Sequence, residues 1–150
     1  MDLRFDYYIG ARPEQVWHVL TSDEGVKSTF FGCTIRSTFQ VGDEMAYVGP
    51  GKDGDDTVHV YGKILQFEPH HIFSFTEHPG PAYYENHAEL QSRVTITLEP
   101  VGGSTKLTLI QDQWTENHPS HVSASNNWPM MLSSIKTYAE TGKTLDFGYE

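Results

Sequence analysis

Hydrophobic and polar residues alternate with a period of two along much of the chain, and this pattern predicts β-strands. Residues 3–9 alternate loosely, but their aromatic residues favour a first strand. Alternation is clearer between residues 31 and 39, where one face is formed by Phe31, Cys33, Ile35 and Phe39. Further strands are predicted at 45–48, 57–67, 72–76, 93–99 and 106–114. Turns rich in Gly, Pro and Asp separate most of these strands, which indicates an antiparallel meander.

Two short helices are predicted after the first strand. Pro13 suits the first position of a helix, and an apolar stripe follows it. That stripe consists of Val16, Trp17, Val19 and Leu20. Thr21 and Glu24 stand three residues apart, as in a capping box, so a second helix is predicted to follow at once and to end near Ser28.

Helical spacing returns near the end of the chain, and Gly142 suits the C-terminal end of that helix. Pro129 would remove one hydrogen bond from the interior of the helix. Two interpretations remain: the helix begins near Asn127, or it begins near Pro119 and bends, which we prefer. Lys136 should face outward. The inward face is predicted to contain Trp128, Met131, Leu132 and Ile135.

The order of these elements predicts an α+β fold. Strands and helices do not alternate along the chain, so a parallel doubly wound sheet is not expected. One long helix must cover one face of a sheet with six or seven antiparallel strands, and such a sheet twists and curves. A single helix fills only part of the space beneath it. We therefore expect residues 1–150 to form one domain with an apolar cavity between the sheet and the C-terminal helix.

Charge and cysteine content narrow the classes of partner. Twenty acidic residues against ten Lys and Arg give a formal charge of -10, which should repel nucleic acid and anionic lipids. No apolar run approaches the ~20 residues that span a bilayer, so membrane insertion is not expected. Cys33 is the only cysteine, and residues 1–5 lack a signal-peptide pattern. Together these features favour the cytoplasm.

Four segments carry a resemblance to a known family. They are Ala-Arg-Pro-Glu-Gln-Val-Trp at 11–17, Phe-Phe-Gly at 30–32, Gly-Lys-Ile-Leu-Gln-Phe-Glu-Pro at 62–69 and Asn-Trp-Pro-Met-Met-Leu-Ser-Ser-Ile-Lys at 127–136. Their order and spacing resemble the START-like helix-grip superfamily, also called SRPBCC, and within it the homologues of the activator of heat-shock protein 90 ATPase. The resemblance implies a curved sheet wrapped around the C-terminal helix, with a cavity for a lipid, sterol, polyketide or aromatic metabolite. It implies no single activity, because the superfamily includes carriers, cyclases, hydroxylase domains and co-chaperone modules.

Aromatic and long apolar residues are the candidates for lining that cavity, since ligand pockets are mostly apolar with a few polar groups. Plain core packing is the alternative for each of them. The loop at 79–87 could act either as a lid or as a solvent-facing connector. The candidate ligand-binding residues are Phe31, Tyr47, Tyr61, Phe75, Tyr83, His87, Trp114, Trp128, Met131 and Ile135.

Catalytic and metal-binding motifs are not evident in the sequence. No HExxH or Cys-His cluster accompanies the eight histidines, so no metal or other cofactor is expected. No Gly-x-Ser-x-Gly elbow occurs. Cys33 is predicted on the inward face of a strand, where a thiol behaves as a small hydrophobe. We therefore assign no catalytic residue.

Three functions fit these observations. The favoured one is binding of a small hydrophobic molecule without catalysis. An alternative is an enzyme of the polyketide-cyclase or aromatase kind, in which Tyr61, His87 or Asp112 would move protons inside the cavity. A co-chaperone role through protein contacts is the third. A homodimer is compatible with all three.

Overall fold

Seven antiparallel strands form one sheet in the computed structural model, which describes residues 1–148 of the chain. The strands are β1 (Leu3–Ile9), β2 (Thr34–Ser37), β3 (Glu44–Pro50), β4 (Asp56–Glu68), β5 (Ile72–Pro79), β6 (Ser92–Val101) and β7 (Ser104–Asp112). Their order across the sheet is β1-β7-β6-β5-β4-β3-β2, so every neighbouring pair except β1 and β7 is consecutive along the chain. The helices are α1 (Pro13–Thr21), α2 (Asp23–Thr29) and α3 (His121–Thr141), with one 3-10 turn at His87–Glu89. The predicted α+β helix-grip fold is confirmed.

Helix α3 presents its apolar side to the sheet, as the sequence predicts. Trp128, Leu132 and Ile135 are buried and Met131 is half-buried. Lys136 lies at the outer edge, where its Nζ donates hydrogen bonds to the backbone oxygen of Tyr8 (2.9 Å) and to Glu140 (2.6 Å). Burial on one side of the helix therefore fixes its rotation about its own axis.

The ends of α3 follow local chemistry. Gly142 caps the helix with a positive φ of 75°, a conformation that glycine adopts without steric cost. The helix begins at His121, and residues 118–120 form a turn before it. It continues through Pro129, where the absent N–H leaves the carbonyl of Ser125 without its usual helical partner. The preferred start near Pro119 was thus close, and the alternative start near Asn127 is wrong.

Two local predictions need correction. The strand predicted over 31–39 is only four residues long, because Phe31 (φ 53°) and Phe39 (φ 60°) adopt left-handed backbone conformations that end it on both sides. The second helix is capped by Ser22 rather than Thr21. The Ser22 hydroxyl accepts a hydrogen bond from the Gly25 N–H (3.0 Å), whereas the Thr21 hydroxyl donates to the carbonyl of Trp17 (2.8 Å).

We call the side of the sheet that carries the buried strand residues the inner face, and the opposite side the outer face. Phe73 and Phe75 of β5 lie on the inner face. The alternating positions of β6 and β7 also supply buried residues, namely Val94, Ile96, Leu98, Leu107 and Leu109. At one end of these three strands the next inward positions are polar: Glu77, Ser92 and Gln111. The inner face therefore changes from apolar core to polar row along the strands.

A β-bulge interrupts the pairing of β3 with β4. Tyr47 pairs with Val60 and Val48 with Val58, so His59 is an extra residue on β4. A bulge changes the direction of the side chain that it inserts. His59 lies near the same end of the sheet as Glu77 of the polar row.

Truncation of Ile135 should test the packing of α3. Ile135 is fully buried, so Ile135→Ala should lower the free energy of unfolding by about 2–5 kcal/mol through lost contacts and a new cavity. Val122→Ala is the matched control, because Val122 lies on the same helix and is 70% exposed. Urea denaturation of both variants measures the difference. Equal stabilities would contradict the assigned orientation of α3.

Candidate functional site

A cavity of about 480 Å³ lies between the polar end of the inner face, the first half of α3 and the loop after β5, and it is partly open to solvent. Six of its eighteen lining residues are Phe, Tyr or Trp. The aromatic lining residues are Phe30, Phe31, Tyr47, Tyr83, Tyr84 and Trp128, with Met131 beside them. A cavity of this volume and lining falls in the range of small-molecule sites, roughly 300–1,000 Å³.

Three rings form the base of the aromatic wall. Phe30 stacks on Tyr47 with centroids 5.0 Å apart and planes 7° apart, and it meets Trp128 edge-on at 6.2 Å. These pairs join the end of α2, strand β3 and helix α3. The side chains are all nearly buried, so packing restricts their rotamers and the wall has a defined shape.

The Gln111 side chain organises the polar end of the cavity. Its Nε2 donates to Glu77 Oε1 (3.0 Å) and to Ser92 Oγ (2.9 Å), and its Oε1 accepts from Trp128 Nε1 (2.7 Å). An indole N–H can only donate, which fixes the orientation of the amide. Both amide hydrogens are then used, and the network links β5, β6, β7 and α3.

Glu77 is the acidic residue of the cavity wall. It follows Phe73 and Phe75 on the inner face of β5 and pairs directly with Ser92. Burial raises the pKa of Glu77 to about 7, an effect that the hydrogen bond from Gln111 partly offsets. The nearby hydroxyl of Tyr47 has its pKa raised by burial first and by the charge of Glu77 second.

Two histidines also belong to the polar lining. His59 Nε2 lies 3.1 Å from the backbone oxygen of Pro50, and Nδ1 lies 2.5 Å from the Tyr83 hydroxyl. In a neutral imidazole this requires Nε2 to donate to the carbonyl and Nδ1 to accept from Tyr83. The contact holds the loop after β5 against the bulge. His118, whose Nδ1 accepts from the Ser120 N–H (3.1 Å), has its pKa lowered mainly by burial.

Five of the ten residues predicted from the sequence line this cavity, and five do not. The lining residues are Phe31, Tyr47, Tyr83, Trp128 and Met131. Phe75 and Ile135 are fully buried in the core. Trp114 is not among the lining residues but meets the ring of one of them, His118, edge-on at 5.0 Å.

Tyr61 and His87 belong to a separate cluster on the outer face. The Tyr61 hydroxyl lies 2.5 Å from His87 Nδ1, and the Tyr61 ring stacks on His78 at 4.9 Å. Asp112 is also on the outer face, where it forms a two-point ion pair with Arg93 at 2.7 and 2.8 Å. The three residues proposed from sequence to move protons are therefore not among the cavity-lining residues.

Glu77, Gln111 and His118 were missed at the sequence level. Extending the Phe73–Phe75 alternation by two residues would have placed Glu77 on the inner face, but the predicted strand stopped at residue 76. No group of three or more His, Cys, Asp or Glu side chains within residues 1–148 is placed to hold a metal ion. None of the helices in that range has the length and hydropathy needed to cross a bilayer.

Comparison with known proteins identifies the family. Residues 10–140 match the model of a family described as activator of Hsp90 ATPase homolog 1-like protein. The chain belongs to this family. The match spans the first helix through nearly all of α3, so both walls of the cavity lie within the matched residues. No curated protein matches the chain.

Several solved structures share the fold of this chain. The Aha1 dimer from Colwellia psychrerythraea, solved in solution, is 20% identical with a TM-score of 0.71, over 95% of this chain and 98% of the other. A protein from Cytophaga hutchinsonii is 26% identical with a TM-score of 0.70, over 92% of each chain. DynU16, a putative protein in the dynemicin biosynthetic locus, is 19% identical with a TM-score of 0.72, over 95% of this chain and 48% of the other. At these identities the likenesses establish the shared helix-grip fold.

Replacement of Glu77 should change how stability depends on pH. The carboxyl of Glu77 has a pKa of about 4.5 in the unfolded chain and about 7 in the folded protein. In the pH window between these two values, the unfolded chain has lost a proton that the folded chain keeps. Wild type should therefore lose stability relative to Glu77→Gln as the pH rises through the window, by at most about 3 kcal/mol. Urea denaturation at about pH 5 and pH 8 measures this difference. His118 titrates in both proteins, so its contribution cancels in the comparison. A difference in the free energy of unfolding that does not change with pH would show that Glu77 ionises with its ordinary pKa.

Cys33 should react slowly with thiol reagents in the folded protein. It lines the cavity but is only 8% exposed, and burial raises the pKa of its thiol, which lowers the fraction of reactive thiolate. Maleimide labelling followed by mass spectrometry should be at least about tenfold slower than in the urea-unfolded chain. Equal rates would contradict the inward position of Cys33.

Proposed function

We propose that this protein binds a small hydrophobic molecule in the cavity beneath α3 and does not convert it. The observation that carries the proposal is the cavity of about 480 Å³ walled by stacked aromatic residues and Met131. Planar rings offer a large apolar contact area at low cost in side-chain entropy, and a Met side chain adapts to ligands of different shape. Such a lining suits an aromatic or polyketide-like molecule better than a strongly charged one.

Two similar proteins also bear on this proposal. DynU16 is described as a protein of a biosynthetic locus for dynemicin, which fits a role near small organic molecules. The co-chaperone alternative rests on the family description alone. The Colwellia protein is a dimer, and we propose a homodimer for this chain on that basis. The ligand proposal rests on the geometry of these residues, and we therefore favour it.

One observation favours the enzyme alternative. The carboxyl of Glu77, with its pKa raised to about 7, is suited to accept or donate a proton near neutral pH. An enzyme using this cavity would depend on Glu77 rather than on Tyr61, His87 or Asp112. Turnover of a bound compound that is lost in Glu77→Gln but kept in Tyr61→Phe would establish that alternative.

Two further parts of the proposal concern location and excluded partners. The formal charge of -10 supports the absence of nucleic-acid binding. Cys33 is a free thiol in the structure, which fits a cytoplasmic location.

Filling the cavity should weaken ligand binding. An uncharged fluorescent probe, N-phenyl-1-naphthylamine, should bind saturably with a micromolar dissociation constant, which corresponds to a binding free energy on the order of 8 kcal/mol. Met131→Trp should weaken binding at least about tenfold, because the larger side chain occupies the ligand volume. Val122→Trp adds the same indole to an exposed site on α3 and should leave the affinity unchanged. Equal affinities in the two folded variants, or no saturable binding by wild type, would contradict the proposal.

A further inference from the structure

The polar end of the cavity has two oxygen atoms without a hydrogen bond to any described residue. They are Glu77 Oε2 and the hydroxyl oxygen of Tyr47. Within residues 1–148 no fully buried side-chain nitrogen or oxygen lacks a partner, so these two atoms must reach the surface of the cavity. Both are therefore available to a bound molecule.

These atoms are held in place by packing and hydrogen bonds. Glu77 Oε1 is tied to Gln111, whose amide is fixed by Trp128 and Ser92. The Tyr47 ring is clamped by its stacking on Phe30. A fixed acceptor costs little entropy when it meets a ligand group, so this end of the cavity is preorganised.

We propose that Glu77 and Tyr47 form a polar anchor that selects, among apolar ligands, those that carry a hydroxyl group. The inference rests on the proposed ligand-binding function and names the ligand class. A ligand hydroxyl donates to Glu77 Oε2 and accepts a hydrogen bond from the Tyr47 hydroxyl, so one group satisfies both open atoms. A ligand carboxylate places a second negative charge beside Glu77 and is disfavoured. The formal charge of -10 acts in the same direction.

Three ligands with the same ring system test the anchor: naphthalene, 2-naphthol and 2-naphthoate. Equilibrium dialysis at about pH 8 keeps Glu77 mainly ionised, since its pKa is about 7. Wild type should bind 2-naphthol about tenfold more tightly than naphthalene, as expected for a hydrogen bond to a charged group, and 2-naphthoate most weakly.

Variants assign the preference to the two residues. Glu77→Gln keeps a carbonyl oxygen for Gln111 but offers the ligand an amide donor in place of a charged acceptor. The preference for 2-naphthol over naphthalene should therefore vanish. Binding of 2-naphthoate should become tighter, because the negative charge of Glu77 is gone. Tyr47→Phe keeps the ring but removes the hydroxyl donor, so it should reduce the preference for 2-naphthol over naphthalene several-fold. Glu99→Gln and Tyr8→Phe are matched controls at exposed positions and should bind as wild type does.

Each result decides the proposal. A preserved tenfold preference in folded Glu77→Gln overturns the anchor. Equal binding of naphthalene and 2-naphthol by wild type overturns the anchor but leaves the hydrophobic cavity standing. No binding of any of the three ligands overturns both. Thermal unfolding shows whether each variant is folded. If Glu77→Gln does not fold, the wild-type affinities for the three ligands and those of Tyr47→Phe still decide whether the polar anchor exists.

Discussion

The buried side-chain amide of Gln111 links the helix to the sheet at the cavity end of the molecule. Removing an amide from water costs several kcal/mol unless its groups find partners. Here both hydrogens of Nε2 and the Oε1 atom are satisfied, by Glu77, Ser92 and Trp128. The bond from Trp128 is the one that joins α3 to this strand cluster. Since the helix also carries Met131, this bond links the cavity-lining side of α3 to the polar row.

The rest of the inner face shows why the space between helix and sheet is filled at the opposite end. At the opposite end Trp17 packs on Phe67 at 5.1 Å, and Phe67 packs on Phe39 at 5.0 Å and on Phe73 at 5.5 Å, so α1 and the sheet are joined by continuous aromatic contacts. At the other end, polar side chains take the place of these rings. Close aromatic packing there would leave the polar atoms without hydrogen-bond partners. Burying Glu77 there lowers stability above its unfolded pKa. A site that costs stability is expected where a protein must bind something.

The fold could be predicted from the sequence to a large extent, because periodicity reports which side of an element is buried. The first strand was located to the residue, and Trp128, Leu132 and Ile135 face inward as the 3-4 spacing indicates. The site was harder to predict for local reasons. The alternation placed Phe31 on one strand face with Cys33, but its left-handed backbone turns it out of the strand. The bulge at His59 changes the alternation of β4, and periodicity alone does not reveal a bulge.

The same geometry limits the chemistry that the cavity can perform. Burial and the charge of Glu77 both raise the pKa of Tyr47, so this hydroxyl stays protonated near neutral pH and acts as a hydrogen-bond donor. Glu77 has one oxygen held by Gln111, which leaves a single oxygen to accept a proton. His118, a further candidate for acid-base work in the lining, has its pKa lowered mainly by burial, which favours its neutral form. One base and one donor can hold and orient a hydroxylated molecule without any reaction. They promote a proton transfer only if the ligand itself brings a group that exchanges a proton with Glu77, so the ligand decides whether this cavity binds or catalyses.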